Sequence, residues 1–165
     1  MKLCLCLLII FGTSSVLAQT ESRSADEKEL IALEQQMGQM EKMGNYPQPF
    51  VQDHLGADLI WVWPMGFGGR DSFTQPDPPD QLPLEEKIEN LKVRLYGNTA
   101  VVDATWYKKG KDPAAYEMHG FLVDVWIKRE GKWQLVSGAS GPLGPGASLK
   151  PLGAPDLPGP QSSSK

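Results

Sequence analysis

Cysteine is nearly absent from this chain, and where it occurs it is confined to one place. Two of the 165 residues are cysteine, Cys4 and Cys6, and both lie in the apolar run 3–11 behind Lys2. Val16, Leu17 and Ala18 follow shortly afterwards, with small side chains at the third and first positions before Gln19, the pattern a signal peptidase accepts. An apolar run of about ten residues is too short to cross a bilayer. Residues 1–18 are therefore expected to be a signal peptide that is cut off, which makes the protein secreted or periplasmic. Both cysteines would leave with it, so no disulfide, thiolate ligand or lipid-carrying cysteine is expected in the mature chain.

Other shortages narrow the function further. There are two histidines, His54 and His119, far apart and without a third ligand at metal spacing, so no metal is expected. Gly66, Phe67, Gly68, Gly69 and Arg70 are glycine-rich but lack the Lys-Ser/Thr of a phosphate loop, and no cofactor is expected. No second long apolar run occurs, which leaves no membrane partner after cleavage. Asp and Glu number 20 against 16 Lys and Arg, a formal net charge of −4; losing Lys2 makes that 20 against 15, or −5. An acidic chain without a basic cluster excludes nucleic acid as a partner.

What is present reads as one α+β domain over residues 26–140, between a patternless polar leader at 19–25 and a Pro/Gly/Ser-rich tail at 141–165 too poor in apolar residues to order itself. Leu30, Leu33, Met37 and Met40 recur at helical spacing over 26–43, with Glu34, Gln35, Glu41 and Lys42 assigned to the solvent face. Gly44-Asn45 ends this helix, and a short second one is expected at 50–55. A β-branched and aromatic strand at 59–63 stops at Pro64, and 64–83 reads as a long loop, either a functional flap or a disordered insertion. Strands are then expected at 88–96, 99–108, 116–129 and 133–140, joined by tight turns into an antiparallel meander packed on the helices.

Two blocks carry a family resemblance: Tyr96-Gly97-Asn98-Thr99-Ala100-Val101-Val102, and the run from Asp124-Val125-Trp126 through Gly131-Lys132-Trp133 to Val136. With the opening helix they resemble the NTF2-like superfamily, closest to its SnoaL-like and DUF4440 branch. The resemblance implies a cone-shaped barrel, a curved antiparallel sheet wrapped on N-terminal helices, with a pocket at one end. That fold serves isomerases, cyclases, dehydratases, ligand binders and dimerisation modules, so it leaves function open.

In ketosteroid isomerase relatives the residue before the proline that closes the first strand is a carboxylate base; here it is Trp63. Catalysis would need other groups, and the candidates are Asp124, Asp103 and His119. Asp124 alternates with Leu122 and Trp126, Asp103 with Thr105 and Tyr107, and His119 with Phe121 and Val123. A carboxylate among apolar neighbours would have its pKa raised and could serve as a base; one on the outer face would meet solvent or an arginine instead. The aromatic strands suggest a binding wall of Trp61, Trp63, Tyr107 and Trp126, completed by Met37 and Met40. Three readings follow: a binder of a small apolar or aromatic molecule, a SnoaL-like isomerase, cyclase or dehydratase, and a ligand-free module that pairs as a homodimer.

Overall fold

The computed structural model describes residues 14–110 and 117–144, with side chains from Ala25 onward. The apolar run 3–11, residues 111–116 and the tail beyond 144 lie outside the described residues. Helix α1 spans Ser14–Met43 and so takes in both the leader expected to be patternless and the cleavage site expected after Ala18. No Gly or Pro falls between Thr13 and Met37, so nothing stops the helix nucleated by 26–43 from continuing towards its N-terminus. It ends where Gly44 takes φ +63, and the N–H groups of Gly44 and Asn45 donate back to Glu41 and Met40 at 2.9 and 3.0 Å.

Helix α2 covers Gln48–His54 behind Pro47. His54 is half-buried, and its Nδ1 pairs with the Trp133 carbonyl at 3.0 Å, joining α2 to the last strand. Strand β1 runs Leu55–Trp63, turns into a three-residue β2 at Gly66–Gly68, and a 3₁₀ turn at Arg70–Phe73 follows. The meander is β3 (Glu85–Tyr96), β4 (Thr99–Lys109), β5 (Glu117–Arg129) and β6 (Lys132–Pro142). Its tight turns place Gly97 at φ +67, and Glu130 and Gly131 at φ 51 and 81, signs that suit two-residue hairpins. β6 outlasts its expected end at Ser140, since Gly141 and Pro142 pair with Phe121 and Gly120.

Strand order is β2-β1-β6-β5-β4-β3. β1 lies parallel to β6, so the sheet is mixed where an antiparallel one was expected. Two bulges bend it. The register of β3 against β4 shifts between Glu89 and Lys92, where Asn90 has φ 55, and that of β5 against β6 shifts between Val125 and Trp126, leaving Val136 unpaired in that register. Each bulge also flips which residues face inward: Glu86 and Ile88 before Asn90 but Leu91, Val93 and Leu95 after it, and Trp133 and Leu135 before Val136 but Gly138 and Ser140 after it. Inside the curve, Leu30, Leu33, Met37 and Met40 of α1 join Trp126, Trp133 and Leu135 of the sheet in the main core. The inner faces thus leave water together, the dominant stabilising term.

Candidate functional site

The core does not fill the cone. Where α1 passes β3, β4 and β5, a cavity of about 850 Å³ remains, open at one end. Its apolar walls come from Met37, Trp61, Trp63, Phe73 and Trp106. Segment 64–83, expected as a structureless flap or insertion, packs over the mouth: Phe73 meets Trp61 and Tyr46 edge-on, with ring centroids 5.6 and 5.2 Å apart, and the Asp77 N–H donates to the Gly44 carbonyl at 2.8 Å. Gly138 lets Trp61 lie against β6, since a Cβ there would stand 2.4 Å from the indole ring and 2.6 Å from a carboxyl oxygen of Asp124.

Asp124 faces inward between Leu122 and Trp126 and is fully buried. Neither of its carboxyl oxygens receives a donor among the described residues. Beside it stands Glu34 of α1, 1% exposed, whose Oε1 accepts from Trp126 Nε1 at 2.7 Å while Oε2 has no donor. Burial, and then the neighbouring charge of Glu34, push Asp124 well above the usual carboxylate range. Burial also lifts Glu34, to about 7, against the lowering effect of the hydrogen bond from Trp126. Burial thus favours the neutral form of both carboxyl groups.

A second cluster lies closer to the mouth. Lys108 on β4 pairs with Glu41 and, at 3.4 Å, with Glu86, and its ammonium stands 5.1 Å from the centre of the Trp106 ring. Burial and then the charge of Glu41 push Glu86 up to about 8. For Lys108, burial alone would lower the pKa, but Glu41 and Glu86 outweigh it and the net shift is upward. Glu86 Oε2 and the buried Nε1 of Trp61 have no partner among the described residues.

Of the residues expected from sequence, the structure brings Asp124, Trp61, Trp63 and Met37 to the cavity. Met40 and Trp126 are buried in the core beside it. Asp103, His119 and Tyr107 belong to the other face of the sheet. Asp103 pairs with Arg94 at 2.7 Å, and the His119 ring rests 5.2 Å from that of Tyr107. Strand alternation separates them from Asp124, so a catalytic set joining Asp124 to Asp103 or His119 cannot form at this cavity. The residues the sequence reading missed are Glu34, assigned to solvent, and Tyr46, Phe73, Glu86 and Lys108. Glu34 had a visible signal, since it stands four residues after Leu30 and three before Met37, inside the buried stripe. Among the described residues no three His, Asp or Glu side chains group as a metal site would require.

Compared by sequence, no family model matches the chain and no curated protein does. Solved structures resemble it in backbone. A provisionally assigned dehydratase of the NTF2-like family from Streptomyces avermitilis aligns over 74% of this chain and 99% of its own, with TM-score 0.63 and 14% identity. The CaMKII hub homology domain of Chlamydomonas reinhardtii aligns over 72% and 98%, with TM-score 0.59 and 20% identity. An NTF2-like protein of unknown function in nutrient uptake from Rhodospirillum rubrum aligns over 69% and 98%, with TM-score 0.56 and 18% identity. At such identities the likeness is one of fold, since this fold carries many unrelated activities. A long helix held in a bent six-stranded sheet, a cavity at one end and these neighbours together establish that the chain has the NTF2-like fold.

Proposed function

We propose that this protein binds a small molecule with an aromatic or apolar body in the open end of its cone. The observation that carries this reading is the cavity of about 850 Å³, large enough for a drug-sized ligand, with aromatic walls and a few convergent polar groups. Trp63 is a large aromatic wall residue that is only half-buried, so it can be removed with less disturbance of the core than Trp61 or Trp106. Trp63→Ala is expected to weaken binding of aromatic probes by roughly 1–3 kcal/mol. Calorimetry on the wild type and variant checks this, and unchanged affinity would refute it. Export, inferred from 1–18, is checked separately by N-terminal peptide mapping of secreted protein, with Gln19 the expected first residue.

The buried pair favours a second reading. Glu34 titrating near 7 beside a protonated Asp124 is a base and an acid held together at the floor of an apolar pocket, the equipment of an isomerase or dehydratase. Under that reading Asp124→Asn abolishes turnover, whereas under simple binding it leaves affinity for a neutral probe nearly unchanged.

A homodimer fits the outer face. Ile60, Val62, Phe121 and Val123 are 39–56% exposed there, and Val62, Ala139 and Val123 stand side by side across β1, β6 and β5. Such an apolar patch suits a second copy of the same face, and the cavity opens on the opposite side of the sheet, so pairing and binding are compatible.

A further inference from the structure

We propose that the ligand carries a positively charged amine on its aromatic or apolar body, and that the carboxyl groups of Glu34, Asp124 and Glu86 receive it. The inference rests on the binding reading above and adds the ligand's charge. Among the described residues, five carboxyl side chains line the cavity, against one lysine and no arginine or histidine. That lysine is already engaged by Glu41 and Glu86, so the remaining acidic groups have no cation of their own.

What distinguishes this from a merely acidic surface is the state of the oxygens. Both oxygens of Asp124, Oε2 of Glu34 and Oε2 of Glu86 are buried and lack any donor among the described residues. Unpaired buried acceptors are rare and costly in folded proteins. An ammonium group has three N–H donors and no acceptor, so it is the group that satisfies several of these oxygens at once without adding a further lone pair. A carboxylate or phosphate ligand would bring more unpaired acceptors and a like charge. Alcohols and phenols offer one donor each.

The walls are suited to the same charge. Trp61, Trp63 and Trp106 line the cavity, and Trp rings attract cations more strongly than other aromatics do. Lys108, with its ammonium 5.1 Å from the Trp106 ring centre and its partners Glu41 and Glu86 alongside, shows this arrangement already holding an alkylammonium. The unpartnered Trp61 Nε1 donor leaves room for an oxygen acceptor elsewhere on the same ligand.

The test uses three probes with one phenyl body: 2-phenylethylamine, 2-phenylethanol and 3-phenylpropionate, titrated calorimetrically into the full mature chain near pH 7.5. The amine is expected to bind about tenfold or more tightly than the alcohol, and the acid weakest. Glu34→Gln, which keeps an oxygen acceptor for Trp126, is expected to erase most of the amine's advantage while leaving the alcohol's affinity within about twofold. Glu86→Gln serves as a second variant if Glu34→Gln does not fold. If alcohol and amine bind equally, or the acid binds best, the charge assignment is overturned and the binding cavity stands. An amine advantage untouched by either variant overturns it as well, because the cation would then be held elsewhere. Binding of none of the three overturns both the charge assignment and the binding reading.

Discussion

Glu34 is the residue on which the site turns, and it is the one the sequence hides best. Glutamate on an amphipathic helix is ordinarily solvent-facing, and residue type outweighed the spacing that set it between Leu30 and Met37. Asp124 was easier to place as a candidate because strand alternation ties it to Leu122 and Trp126, although alternation alone does not say which face is inner. Glu86 could not be found by that rule. Counting back from Val93 puts odd-numbered residues inside, and the bulge at Asn90 reverses the parity. Burial of these carboxyls has a measurable consequence. A carboxyl whose pKa is raised on folding contributes stability in full below its unfolded value near 4.5, and that contribution is lost as the pH rises through about 7 for Glu34 and about 8 for Glu86. The ligand-free protein is therefore expected to melt at a lower temperature at pH 9 than at pH 6. A shift in Glu34 from 4.5 to about 7 corresponds to roughly 3 kcal/mol when fully expressed. Glu34→Gln should flatten the pH dependence of the melting temperature, as followed by calorimetry. A melting temperature that rises between pH 6 and 9 would contradict the burial of these carboxyl groups.

At the scale of elements, the sequence reported strongly periodic segments well and junctions poorly. The main helix, the first strand and the four-strand meander all exist near their expected positions, because 3.6-residue and two-residue periodicity are direct imprints of a buried face. The N-terminal extension of α1 and the parallel pairing of β1 with β6 were not legible, since neither leaves a local pattern. Segment 64–83 was least legible of all. Its glycines and prolines argue against regular structure, yet tertiary contacts through Phe73 hold a short strand and a 3₁₀ turn against the cavity mouth. If Phe73 is what fastens this segment, Phe73→Ala should cost about 3 kcal/mol and open new cleavage sites between residues 64 and 83. Limited proteolysis followed by mass spectrometry reads this out. Cleavage unchanged from wild type would show that the Asp77 N–H bond to Gly44 and the β1–β2 pairing suffice.

For the whole molecule, one bent sheet serves two faces. Its concave side holds α1 and the cavity, and its convex side exposes the row Val62, Ala139 and Val123. If that row pairs with a second copy, light scattering after size exclusion should give twice the chain mass for wild type and the single chain mass for Val123→Lys, with similar circular dichroism for both. The central claim, that the cavity takes up an aromatic ligand, is tested most directly by the indole N–H resonances of the five tryptophans during a titration with 2-phenylethylamine. Trp61, Trp63 and Trp106 line the cavity, whereas Trp133 is buried in the core beyond it, with Lys128 5.5 Å from its ring centre. The account predicts saturable shifts at Trp61, Trp63 and Trp106 and a Trp133 resonance that stays in place; saturation of the ligand without movement of the first three, or with movement of Trp133 alone, would contradict it.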